Sequence, residues 1–218
     1  MVRQFDIVEL FVLLFLLFKL LKGIWKEVTV MEKNFYDVVE GNPVIAAIKD
    51  MIGLEGCCKC EEVKVVFILF GDLCSIGDIV QKVKQAGKIA MVHVDLINGL
   101  ASKEIAVEFI GKNTKADGII TTKPALIRKG KELGLNTVLR YFLIDSMALE
   151  TIKQSQNAKP DFIEVLPGVM PKIIREVSST TKIPIIAGGL IKDKEDVMGA
   201  LGAGAVAVST TNPSVWNL

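Results

Sequence analysis

The sequence predicts a (β/α)8 barrel, and three observations predict it. From Pro43 onward, short apolar runs alternate with segments of helical periodicity, eight runs in all. The runs lack polar alternation, which marks strands buried on both faces, as in a parallel sheet covered by helices. The last two runs, Ile183-Pro-Ile-Ile-Ala-Gly-Gly-Leu-Ile191 and Ala203-Gly-Ala-Val-Ala-Val-Ser-Thr-Thr-Asn-Pro213, end in small or hydroxylic residues. Backbone amides at such turns cradle anions, and this fold usually places a phosphate after strands seven and eight. The class is therefore the phosphate-binding kind of barrel.

The strand candidates, in order, are Val44–Ile48, Val63–Phe70, Ile89–Leu96, Gly118–Thr121, Thr137–Ile144, Asp161–Leu166, Pro184–Ala187 and Ala205–Val208. Between them, Ile76 to Gln85 carries apolar residues at Ile76, Ile79, Val80 and Val83 and stops before Gly87. Ser102 to Ile110 opens on a capping residue and shows a buried face through Ile105, Ala106, Phe109 and Ile110. Pro124–Leu133, Ser146–Ile152, Pro171–Val177 and Asp193–Leu201 complete the helices, and Asn212-Pro213 reads as a helix start. An open doubly wound sheet is the rival. Against it, the turn after Ile48 lacks a Gly-x-Gly-x-x-Gly, and the phosphate-like loops come last instead of first.

Residues 1–30 differ from the rest and read as an apolar N-terminal extension of helical character; residues 31–218 read as one barrel domain, with Met31 as its natural start. Leu10 to Leu21 is shorter than the roughly 20 residues of a membrane span. Membrane contact through residues 7–21 is a disfavoured alternative, beside a helix packed on the body or an upstream extension. The chain of 218 residues is half hydrophobic with a net charge of +1, so composition points to neither DNA nor a membrane. Cys57, Cys58 and Cys60 crowd together without a second metal-ligand pair, which suggests reduced thiols in a loop and a cytoplasmic protein.

Barrel ligands sit over the C-terminal strand ends. There the sequence places Lys49, Asp50, Asp72, His93 with Asp95, Lys123, Arg140 with Asp145, Glu164, Gly188, Gly189, and Ser209 to Thr211. Lysine and amides suit an anion, and carboxylates suit hydroxyls. Each has a structural alternative: His93 as a core histidine, Glu164 as the partner of Lys49 or Arg140, and Arg128 to Lys131 as a solvated helix end. A lone histidine disfavours metal or triad chemistry, so neither catalytic residues nor a metal are expected.

These residues, in this order, resemble the glycerol-3-phosphate-responsive antiterminators of bacterial glycerol operons. The likeness runs from Asn42 to Trp216 through Asn42–Ile48, Phe70–Leu73, Val92–Ile97, Asp117–Pro124, Asp161–Gly168, Pro184–Ile191 and Val208–Thr211. It implies a barrel that senses glycerol 3-phosphate as its effector, with no cofactor, and that acts on an mRNA leader to prevent termination. By this resemblance Gly188, Gly189, Ser209 and Thr210 hold the phosphate, and Asp95, Lys123 and Glu164 address the hydroxyls or complete the pocket. RNA contact is expected from rim residues such as Lys123, Arg128, Lys129 and Lys131, and a homo-oligomer is left open. The alternative is a phosphosugar enzyme (isomerase, aldolase or lyase) using Asp95 and Lys123.

Overall fold

The structure, a computed structural model, describes residues 34–218, apart from the side chains of residues 153–156. The expectations about residues 1–30 and the boundary at Met31 lie outside the described residues. Helix α1 (Phe35–Gly41) leads into β1 (Val44–Ile48), α2 (Met51–Lys59), β2 (Val65–Ile68), α3 (Ile76–Gln85) and β3 (Ile89–His93). Then follow α4 (Glu104–Asn113), β4 (Gly118–Thr121), α5 (Pro124–Glu132), β5 (Asn136–Phe142), α6 (Ser146–Ser155) and β6 (Phe162–Leu166). The chain finishes with α7 (Pro171–Thr180), β7 (Ile185–Gly188), α8 (Lys194–Gly202) and β8 (Ala207–Thr210). All eight strands are parallel, and β8 pairs back onto β1, closing the barrel.

Local chemistry sets the helix starts. Asp50 caps α2 by accepting from Gly53 N at 2.8 Å, and Asp193 caps α8 by accepting from Asp196 N at 3.0 Å. Pro124 and Pro171 open α5 and α7, where a missing N–H costs nothing. Ser102 does not open α4 as expected. Its hydroxyl turns to Asp95 Oδ1 at 3.4 Å, and the helix begins at Glu104.

Three other expectations are corrected. Cys57 and Cys58 lie on α2, with Cys60 at its C-cap, because Leu54 and Cys57 share a buried face that the crowded cysteines disguise. The run after Ile89 leaves the sheet at His93 and tightens into a 3-10 turn, Val94–Leu96, that carries Asp95 toward β4. Asn212-Pro213 opens a series of turns and no helix. Asn212 Oδ1 does accept from Ser214 N (3.2 Å), but the Trp216 indole donates to Thr210 O at 2.9 Å and draws the turn tight.

Inside the barrel, Ile45, Phe67, Met91, Ile120, Val138, Phe162, Ile186 and Ala207 form a dry layer. Phe35 and Val39 of α1 pack on it, with Phe35 edge-on to Phe162 at 5.2 Å, so α1 stoppers the end where the strands begin. Burying one such phenylalanine contributes about 1.5–3 kcal/mol. Two further clusters fill the space between strands and helices. Two residues along β3, β5, β6 and β8 the inward positions turn polar (His93, Arg140, Glu164 and Ser209, all buried), with Gly188 of β7 among them, while β1 presents Ala47 and the chain just past β2 presents Leu69. The fold thus has a greasy floor and a polar mouth.

Candidate functional site

The mouth is organised around Glu164, which is fully buried. β5–β6 register sets Arg140 beside it, and Arg140 Nε donates to Glu164 Oε2 at 2.5 Å. On the other side Ser209 Oγ donates to Glu164 Oε1, also at 2.5 Å. Gly188 makes this arrangement fit. A Cβ there would lie 2.5 Å from Glu164 Oε1 and 2.6 Å from Ser209 Oγ, closer than a Cβ approaches such atoms. Gly188 and Ser209 are neighbours across β7 and β8, so the glycine gives its side-chain space to the pair.

Beyond Gly188 the chain turns through Gly189 at φ +76° and Leu190 at φ +65°. The first suits glycine; the second places a leucine in the left-handed region at a cost of about 1–2 kcal/mol. Two hydrogen bonds stitch this turn to the one after β8: Thr210 Oγ1 to Ile191 O and Asn212 Nδ2 to Lys192 O, both 2.8 Å. Between the turns and the Glu164 cluster lies a cavity of about 620 Å³. Arg140, Glu164, Gly189, Lys192, Ser209 and Thr211 are among its lining residues. The amides of Lys192 and Asn212 are taken by Asp196 Oδ2 and Thr210 Oγ1. Those of Gly189, Leu190 and Thr211 belong to residues that border the open space.

The structure therefore gathers Gly189, Ser209, Thr210 and Glu164 at one cavity, with Gly188 packed behind it. Ser209 and Thr210 differ from expectation in one respect. They are strand residues whose hydroxyls already serve Glu164 and Ile191, because β8 runs to Thr210. Asp95 and Lys123 do not line this cavity. Asp95 Oδ2 accepts from Thr121 Oγ1 (2.9 Å), Thr122 N (2.8 Å) and Thr122 Oγ1 (3.2 Å), clamping the end of β4 to the turn after β3. Lys123 occupies the N-cap position of α5 with its side chain exposed. Arg140 is expected both among the strand-end charges and as a partner for Glu164; Lys192 is not among the expected residues, and its one sequence signal is that it is the first charge past the Gly-Gly turn.

The remaining strand-end charges have local employment. Asp72 accepts from the Cys74 and Ser75 amides and the Ser75 hydroxyl; these bonds, the hydroxyl's first, hold its carboxyl below the usual range. Asp145 accepts from Ala148 N at the start of α6. His93 is buried beside Arg140, and burial first, then that guanidinium, press its pKa down to about 4. Its Nδ1 has no hydrogen-bond partner among the described residues and stands 4.0 Å from Asp95 Oδ2, beyond hydrogen-bond reach.

In the basic cluster, Lys129 pairs with Glu108 at 2.9 Å and Lys131 with Asp161 at 2.5 Å, which leaves Arg128 exposed. All four cysteines are free thiols, and burial raises that of Cys57 to about 12. No group of side chains among the described residues is arranged to hold a metal, and no described helix is long and apolar enough to cross a membrane.

Comparison with known proteins adds what geometry alone does not supply. The model of the glycerol-3-phosphate responsive antiterminator family matches residues 44–216. The chain belongs to that family. The uncharacterized protein YgcP of Escherichia coli is 44% identical over 178 residues, covering 81% of this chain and 93% of its own. Among solved structures, the glycerol uptake operon antiterminator regulatory protein of Listeria monocytogenes superposes with a TM-score of 0.77 at 30% identity, covering 86% of this chain and 97% of that one. An antiterminator-related protein of Thermotoga maritima does so with a TM-score of 0.70 at 34% identity, covering 81% and 99%. Enzymes such as an aldolase and an epimerase superpose at 15% and 16% identity, a likeness that shows the barrel alone. The antiterminator match spans every residue named at the β7–β8 mouth, Arg140 and Lys192 included.

Proposed function

We propose that this antiterminator-family protein binds glycerol 3-phosphate at the β7–β8 mouth and, once loaded, binds an mRNA leader and prevents termination. One observation carries the ligand half: a single cavity is lined both by the turn residues, Lys192 among them, and by the buried Arg140–Glu164–Ser209 cluster. Phosphate oxygens fit the amides of Gly189, Leu190 and Thr211 with Lys192. Glycerol hydroxyls fit the inner end, where Glu164 accepts and Arg140 donates. Asp95 positions the neighbouring turn without reaching the ligand, and Lys123 belongs to the rim.

This reading is favoured over a phosphosugar enzyme because Asp95, the carboxylate of that alternative, is engaged by threonines, and Glu164, the carboxylate at the cavity, by Arg140 and Ser209. A ligand shifts a regulator only by binding two states differently. The stitched turns after β7 and β8 supply such an element, since an anion held by amides from both favours one arrangement of the pair. Of the four rim cations expected to meet RNA, Lys123 and Arg128 are exposed and form no ion pair among the described residues, while Lys129 and Lys131 already neutralise carboxylates. We place this activity in the cytoplasm, where the transcript is made.

A gel shift with a glycerol-operon leader RNA tests the whole reading. At least about tenfold tighter binding with saturating glycerol 3-phosphate is expected, a coupling of about 1.4 kcal/mol. Equal binding with and without ligand contradicts it.

A further inference from the structure

The cavity is lopsided in charge. Its lining holds three ionic side chains, Arg140, Glu164 and Lys192. Arg140 and Glu164 are bonded to each other at the inner end and cancel, so the surplus positive charge belongs to Lys192 at the turns. Glu164 is fully buried, and both of its oxygens already accept short hydrogen bonds. A neutral hydroxyl can donate to a remaining lone pair there. A second anion cannot, since it would face a buried carboxylate with no spare cation, and like charges so placed repel strongly.

We propose that Glu164 is the specificity-determining residue of this site. It admits ligands with one phosphate and an uncharged hydroxylated tail and excludes phosphorylated hydroxy acids of the same length. The inference rests on the ligand reading above and adds the reason for selectivity: exclusion by an unfavourable charge, which discriminates where shape does not. Arg140 is then a positioning residue. Its pairing with Glu164 keeps the guanidinium from capturing a carboxylate, which it would otherwise bind well.

Glu164→Gln isolates the charge. The amide oxygen can accept from Arg140 Nε, the amide NH2 can donate to Ser209 Oγ, and the hydroxyl can reverse its own direction. Both hydrogen bonds persist while the negative charge goes.

The experiment is isothermal titration of wild type and Glu164→Gln with glycerol 3-phosphate, 3-phosphoglycerate and inorganic phosphate, each protein first shown by a thermal melt to be folded. Wild type is expected to prefer glycerol 3-phosphate to 3-phosphoglycerate by at least about 100-fold, the scale of a like-charge clash. Glu164→Gln is expected to narrow that ratio at least about tenfold by gaining 3-phosphoglycerate, with inorganic phosphate unchanged.

Wild type binding both organic phosphates within tenfold overturns the selectivity role and leaves the ligand reading standing. A folded Glu164→Gln protein with the wild-type ratio overturns it as well. Should wild type bind neither organic phosphate, the ligand reading fails and the selectivity role with it. If the variant does not fold, the wild-type ratio alone decides: within about tenfold it overturns charge exclusion, and at about 100-fold or more it upholds it.

Discussion

At the ends of β3 and β4 a carboxylate is closed by its own chain, while at the ends of β7 and β8 the chain leaves a cavity beside one. Asp95 collects three donors on a single oxygen, all from Thr121 and Thr122, and ties two turns together. Glu164 is also bonded on both oxygens, yet a cavity of about 620 Å³ reaches it. The difference comes from what stands next to each carboxylate. Asp95 has threonines whose hydroxyls fill the neighbouring space; Glu164 has Gly188, whose missing side chain makes room for the Glu164–Ser209 contact, and Gly189, which turns the chain beside the cavity. A polar residue at a strand end is thus no guide to a site until its surroundings are known. Small residues beside it are the better sign.

The contrast makes quantitative demands. Glu164→Ala should have the largest effect, about 3–5 kcal/mol of lost stability by denaturant unfolding, because Arg140 is left charged, buried and unpaired. A loss under about 1 kcal/mol would mean the pair is far more hydrated than its burial indicates.

Acid comes next. The folded pKa of His93, about 4, lies below its ordinary 6.5, so the unfolded chain binds the extra proton first. The stability tied to neutral His93 is complete above about pH 6.5 and is lost as pH falls toward 4, by up to about 3 kcal/mol. Asp95, 4.0 Å away, offsets part of the effect and Arg140 adds to it. Across that window wild type should lose up to about 3 kcal/mol relative to His93→Gln as pH falls, so the two stability–pH curves differ in slope; parallel curves would remove His93 as the cause.

Asp95→Ala should cost about 2 kcal/mol of stability through orphaned donors while changing the affinity of the folded protein for glycerol 3-phosphate less than about threefold. A larger loss of affinity would carry the site across the mouth to β3 and β4. The smallest effect separates the two lysines. Lys192→Ala should weaken ligand binding about tenfold with stability within about 0.5 kcal/mol, and Lys123→Ala should leave both unchanged. Equal losses at the two positions would erase the distinction.

Much of this architecture was legible in the sequence. Eight apolar runs of strand length foretold the barrel because a strand buried on both faces can dispense with alternation. Helices α3 and α5 started where a periodic face or a leading proline placed them. Helix α2 was hidden, since Gly53, Gly56 and three cysteines blur its apolar face and only Leu54 and Cys57 are buried. At the site, the glycine and hydroxyl turns after strands seven and eight pointed to the cavity. The sequence offered Lys49 or Arg140 as a partner for Glu164 without choosing between them, and offered no partner for Asp95. Asp95 and Glu164 look alike as lone carboxylates in apolar runs, and only barrel register brings threonines to one and Arg140 to the other. Lys192 was harder to see: the sequence shows it only as the first charge past the Gly-Gly turn, and its place at the cavity depends on the left-handed turn through Gly189 and Leu190.

Backbone amide chemical shifts of the 15N-labelled protein, followed as glycerol 3-phosphate is added, test most directly where the ligand lies. The largest perturbations are expected at Gly189, Leu190 and Thr211, with Ser102, Thr122 and Lys123 nearly still. Perturbations concentrated at Thr122 and Lys123, or spread along the closed end near Phe35, would contradict the assignment of the ligand to the β7–β8 mouth.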